Sequence, residues 1–194
     1  MKILIISSSS DLIDAKYLDI AENISSFLAK QNCDLIFGAS SKSMMGACYN
    51  TFKKYKRNIY SYTTPKYQEQ FISLPDSKHY LEETTFDLKK NMFNETDIVV
   101  CLPGGIGTYS ETLSFLEEKR SNNKQKPIII YNEYGFYDKL LDIINDLVNS
   151  KFLDKSIYDS FILVNNEEEF ENVILNIRRI FNDWINNGKI SSFM

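Results

Sequence analysis

The sequence predicts an α/β protein: a Rossmann-like three-layer sandwich in which a mainly parallel sheet is flanked by helices. Two observations predict it. Apolar runs of strand length recur along the chain, and most are followed by a stretch with apolar residues at helical spacing. Strands joined by crossover helices run parallel, with helices covering both faces of the sheet. A third observation sets the scale: 194 residues, without internal repeat or low-complexity linker, suit a single domain over residues 1–194 with a substantial core.

The elements follow in order. "KILIIS" (2–7) reads as a buried strand. Residues 12–32 place Ile13, Tyr17, Ile20, Ile24, Phe27 and Leu28 on one helical face. "DLIFG" (34–38) is the next strand, residues 44–57 a helix and "NIYSYTT" (58–64) a strand. Residues 65–78 carry two prolines and little periodicity, and read as a long loop or irregular crossover. A helix over 84–96 is capped by Thr84 or Thr85, with Asp87 in its first turn. "DIVVCLP" (97–103) is a buried strand and 108–120 a helix. "KPIIIYN" (126–132) is a strand, 136–150 a helix and "SFILVN" (160–165) the last strand. The final helix, 167–187, has acidic residues first and basic residues later, as its dipole prefers. Trp184 within it reads as packing or a subunit contact.

Composition narrows the function. A net charge of −4 argues against a broad basic surface for nucleic acid. No apolar run approaches the ~20 residues of a membrane span, and the N-terminal run reads as a strand instead of a leader. The three cysteines, Cys33, Cys48 and Cys101, have no CxxC spacing and fit small buried residues of a reduced, cytoplasmic protein. His79 is the lone histidine, which disfavours a catalytic triad or a histidine-rich metal site; it reads as a surface or loop residue. No metal is expected.

In open parallel sheets, ligands bind beyond the carboxyl ends of the strands. Three such ends stand out: "SSSS" (7–10), "GASSKSMMG" (38–46) and "PGGIGT" (103–108). Gly104, Gly105 and Gly107 can take backbone angles that other residues resist, and they let a ligand approach the main chain. The helix that follows presents unbonded N–H groups and the positive end of its dipole, a generic anion site. The spacing is neither GxGxxG nor a P-loop. Glu111 then has two readings. Thr108-Tyr-Ser-Glu111 fits the capping box, with Glu111 folded back onto the N–H of Thr108. The alternative is a carboxylate free to work on a ligand.

"PGGIGTYSE" matches PGGxGTxxE, the signature of the LONELY GUY (LOG) family, and the chain resembles that family beyond the signature. "FGASSKSMMGA" lies where the family has a glycine-rich turn and GLMGA; "KPIIIYNEYGFYDKLLDII" resembles its next strand and helix start. The resemblance implies a phosphoribohydrolase acting on cytokinin riboside 5'-monophosphates or related nucleotides, releasing base and ribose 5-phosphate. It also implies a homodimer, with active sites near the subunit interface and a small-molecule nucleoside monophosphate as partner. The phosphate would rest on Gly104, Gly105, Ile106, Gly107 and Thr108, with Ser8, Ser9, Gly38 and Gly46 lining the other strand ends. Glu111 takes the position of the family's catalytic glutamate and Lys89 that of its lysine. The family's arginine is replaced by Leu88, which offers nothing polar and leaves a nucleotide-sensing protein without hydrolysis as a second reading. Ala39 and Ser40 stand where the family keeps bare glycine, with Ser40, Ser41 and Ser43 as possible hydroxyl donors. Glu117 and Glu118 fall near the expected base or partner subunit. No cofactor is expected: a decarboxylase would need pyridoxal on a lysine, and nothing marks one.

Overall fold

A computed structural model of the chain describes residues 1–122 and 126–187, without the side chains of residue 182 and residues 184–187. The reading of Trp184 therefore falls outside the described residues. One sheet is built from β1 (Lys2–Ile6), β2 (Asp34–Phe37), β3 (Ile59–Thr63), β4 (Lys78–Leu81), β5 (Ile98–Cys101), β6 (Ile128–Tyr131) and β7 (Ile162–Val164). Their order is β4-β3-β2-β1-β5-β6-β7, and each neighbouring pair is parallel. The helices are α1 (Ala15–Lys30), α2 (Ser43–Lys54), α3 (Thr85–Glu95), α4 (Ile106–Asn122), α5 (Asp138–Asn149) and α6 (Glu167–Asn187).

Strand alternation divides the core in two. Ile3 and Ile5 of β1 face α1, α2 and α6, through Ile24, Leu28, Met44, Phe52 and Phe170. Leu4 and Ile6 face α3, α4 and α5, through Met92, Phe93, Phe115 and Leu140. Both faces of the central strands are covered, which is why they read as unbroken apolar runs. The chain leaves β1 towards β2 and leaves β5 towards β6, in opposite directions across the sheet. The crevice between β1 and β5 is therefore a topological switch point, where such sheets hold ligands.

The Thr84 cap expected for α3 forms, whereas α1 starts at Ala15, three residues later than its spacing suggests, behind an Asp14 cap. Asp14 accepts from the N–H of Lys16 at 3.1 Å, and Thr84 from that of Asp87 at 3.1 Å. The expected irregular crossover is more ordered than its sequence suggests. Pro65–Ser73 forms 3-10 turns, and Lys78–Leu81 adds the edge strand β4. All four β4 residues are exposed, so no alternation marked them. His79 lies on this exposed strand, not in a loop; its Nε2 donates to the Leu74 carbonyl at 2.9 Å and its ring stacks on Phe71. Cys33, Cys48 and Cys101 are free and buried, and burial pushes the thiols of Cys48 and Cys101 up to about 12. Among the described residues, no helix is long and apolar enough to cross a membrane.

Candidate active site

The three strand-end loops converge on Ser8. Its N–H donates to the Pro103 carbonyl at 3.2 Å, and its own carbonyl accepts from Met45 N–H at 3.1 Å. Its hydroxyl accepts from Ser10 N–H. One buried serine thus ties the ends of β1, β2 and β5 together. Ser9 is exposed beside it. Ser7, which precedes it, is 2% exposed; its carbonyl accepts from the Thr108 hydroxyl at 3.2 Å, and its own hydroxyl has no partner among the described residues.

The glycine loop enters α4 earlier than the spacing suggests. The helix begins at Ile106, and its first main-chain bond runs from Tyr109 N–H to the Gly105 carbonyl at 3.0 Å. The N–H groups of Ile106, Gly107 and Thr108 have no helical partner and form the positive end of the helix. Thr108 lies inside the first turn and its hydroxyl is engaged with Ser7, so it cannot act as the N-cap. The capping-box reading of Glu111 is overturned on those grounds.

Of the two properties expected of the loop glycines, the unusual backbone angles are not used. None of Gly104, Gly105 and Gly107 adopts left-handed backbone. At Gly104 a Cβ would stand 2.1 Å from the Thr108 hydroxyl oxygen, so the constraint is close packing. At Gly105 and Gly107 a Cβ would meet nothing within 4 Å. Those two glycines keep the surface above the helix N-terminus bare. Ile106, between them, is 88% exposed at the tip.

Glu111 sits one turn further along α4, half-buried. Burial raises its carboxyl to about 7, and the charge of Lys89 opposes that rise. Lys89, on α3, donates to the hydroxyls of Ser110 at 2.7 Å and Ser114 at 3.4 Å, which keeps its ammonium on this face of α4. Leu88 turns away and packs against the core cluster of α3, α4 and α5. Between α3 and α4, next to Lys89, lies a cleft of about 330 Å³ bounded by Phe86, Lys90, Phe93, Ser114, Phe115 and Glu118. Glu117 is outside it, paired with Arg120 at 2.9 Å.

The second loop is mostly self-satisfied. Ala39 and Ser43 both take left-handed backbone, with φ of 45° and 49°. Ser40 accepts from Lys42 N–H, and the Ser41 hydroxyl accepts from that of Ser73. The Ser43 hydroxyl is buried without a partner among the described residues. Gly38 makes ordinary contact with Met45, whereas Gly46 leaves room for the Ser41 carbonyl, 2.2 Å from where a Cβ would stand. Gly46 therefore packs the loop against α2. Among the described residues, no group of three His, Cys, Asp or Glu side chains is placed to hold a metal.

Sequence reasoning passed over Thr112 and Tyr137, which brace the loop from below. The Thr112 hydroxyl donates to the Thr108 carbonyl at 2.9 Å, and the Tyr137 hydroxyl to the Leu102 carbonyl at 2.7 Å. No spacing rule links a tyrosine to a carbonyl 35 residues away.

A family model described as "Possible lysine decarboxylase" matches residues 45–173. The cytokinin riboside 5'-monophosphate phosphoribohydrolase LOG2 of Arabidopsis thaliana is 26% identical over 156 residues, which is 80% of this chain and 73% of that protein. The cytokinin riboside 5'-monophosphate phosphoribohydrolase of Mycobacterium tuberculosis is 22% identical over 160 residues, covering 80% of this chain and 83% of that one. Among solved structures, the molybdenum cofactor carrier protein of Chlamydomonas reinhardtii superposes with a TM-score of 0.65 at 12% identity. That match covers 90% of this chain and 96% of the carrier.

Proposed function

The chain belongs to the LONELY GUY family, whose model carries the description possible lysine decarboxylase, and from that premise we propose that it is a nucleoside 5'-monophosphate phosphoribohydrolase. The observation that carries the reading is Glu111: a carboxyl released from helix capping, half-buried, and set one turn beyond an open helix N-terminus. The phosphate would take the N–H groups of Ile106, Gly107 and Thr108, reached over the bare surfaces of Gly105 and Gly107. Cleavage breaks the bond from ribose C1' to the base nitrogen, and the electron pair leaves with the base. Positive charge then builds at C1' and the ring oxygen. Ionised Glu111 stabilises that charge and takes a proton from the water that attacks C1'; the departing base takes a proton from solvent, and Glu111 returns its own to solvent to complete the cycle. Lys89 favours the ionised form of Glu111. The α3–α4 cleft beside Lys89 offers the base an aromatic wall at Phe86.

One observation favours a second reading. Leu88 packs against the core at the position where the family resemblance implies an arginine, so this chain has less to clamp a substrate with. A nucleotide-binding protein without hydrolysis would need only the loop. The test is incubation of purified protein with a panel of nucleoside 5'-monophosphates, with Glu111→Gln in parallel and released base measured. Release that falls at least a hundredfold in Glu111→Gln supports the hydrolase. Absence of release by a folded wild type that nucleotides still stabilise thermally supports the binding protein.

A further inference from the structure

The loop that carries the proposed phosphate site is anchored at its first residue by a side chain from a different element. Leu102 follows the last residue of β5. The β5–β6 ladder ends with Cys101 opposite Ile130, so the Leu102 carbonyl lies beyond it. Leu102 is fully buried, and the next residue, Pro103, has no N–H to turn back on the strand. A buried carbonyl in that position requires a donor from elsewhere. The Tyr137 hydroxyl supplies it at 2.7 Å.

Tyr137 is itself held on every side. Its N–H donates to Asn132 Oδ1 at 2.6 Å, and Asn132 Nδ2 donates to Asp138 Oδ1 at 2.8 Å. Asn132 N–H donates to the Val164 carbonyl of β7. The turn between them depends on Gly135, at φ +67°, where a Cβ would come within 2.4 Å of Asp138 Oδ2. The ring packs against Tyr109 and Phe136, with centroids 5.4 and 5.1 Å away. The side chain is 0% exposed, and burial holds its phenol above the usual range. It is therefore a permanent donor, fixed by the end of β6 and aimed at the start of the glycine loop.

Resting on the reading of that loop as a phosphate site, we propose that Tyr137 is a positioning residue that fixes the Leu102–Thr108 segment so that its N–H groups are set for an anion before one arrives. The preformed geometry spares the ligand the cost of ordering the loop. Tyr137 does not touch the ligand; it acts through the carbonyl of Leu102.

Tyr137→Phe keeps the ring and removes the donor. Backbone ¹⁵N relaxation on the full chain reads the loop without any ligand, and titration with adenosine 5'-monophosphate reads the site. In wild type, order parameters across Gly104–Gly107 are expected at about 0.85, and in Tyr137→Phe to fall below about 0.6, with β3 and α1 unchanged. Affinity for the nucleotide is expected to fall at least tenfold. Loop order parameters equal to wild type would overturn the proposal. So would a uniform loss of order through the molecule or a failure to fold, either of which would make the hydroxyl a general structural bond. If the loop loosens as expected but the nucleotide leaves wild type unaffected, Tyr137 still positions the loop, and it is the phosphate reading that fails.

Discussion

Glu111 is the residue whose environment differs most from what its position along the chain suggests. Burial raises its carboxyl to about 7, so in the folded protein it stays neutral over a range where the unfolded chain is ionised. The stability it contributes is fully present below about pH 4.5 and is lost as pH rises through about 7. That difference corresponds to roughly 3 kcal/mol. Glu111→Gln has no such loss. Urea unfolding of the two proteins at pH 4.5 and pH 8 is expected to show the variant gaining on wild type by up to about 3 kcal/mol at the higher pH. If the ionised carboxylate is the working form, base release rises with pH through about 7. Lys89 lowers that value, so Lys89→Met is expected to move the acid limb of the pH–rate profile to higher pH. A profile that keeps its midpoint would remove Lys89 from the charge balance.

At the scale of elements, α4 carries the proposed site, and its first turn separates two kinds of glycine. Gly104→Ala places a methyl against the Thr108 hydroxyl and is expected to cost about 1–3 kcal/mol on thermal or chemical unfolding. Gly105→Ala adds its methyl to open space and is expected to unfold within about 0.5 kcal/mol of wild type. The second variant should nevertheless bind nucleotide more weakly, because the methyl stands beside the N–H groups. Equal binding would place the anion elsewhere. The two glycines look alike in "PGGIGT", because what distinguishes them is the position of Thr108 and the surface above the turn. The helix α4 starts two residues earlier than its sequence suggests for a related reason: Thr108 looks like an N-cap, but its hydroxyl is bonded to Ser7, on a different strand end.

Across the whole molecule, the sheet separates two cores and brings three loops together beyond the carboxyl ends of its central strands. Phe93 and Phe115 stack with centroids 5.1 Å apart beneath the α3–α4 cleft, joining the site's two helices. Phe93→Ala is expected to cost about 3–5 kcal/mol with an unchanged m-value. A smaller loss would mean that the two helices collapse into the space. The sequence by itself determined the alternation of strands and helices, the parallel sheet, the family and the three strand ends that come together. Each of these is written in short-range patterns: unbroken apolar runs, helical spacing, and a signature nine residues long. The tertiary structure alone decided that β4 is an edge strand and that Glu111 is released from its cap into a half-buried site. It also decided that Leu88 faces the core and that Tyr137 holds the carbonyl of Leu102. These facts depend on which residues the crossovers bring together, and burial and hydrogen bonding between residues distant in the chain leave no local periodicity to read.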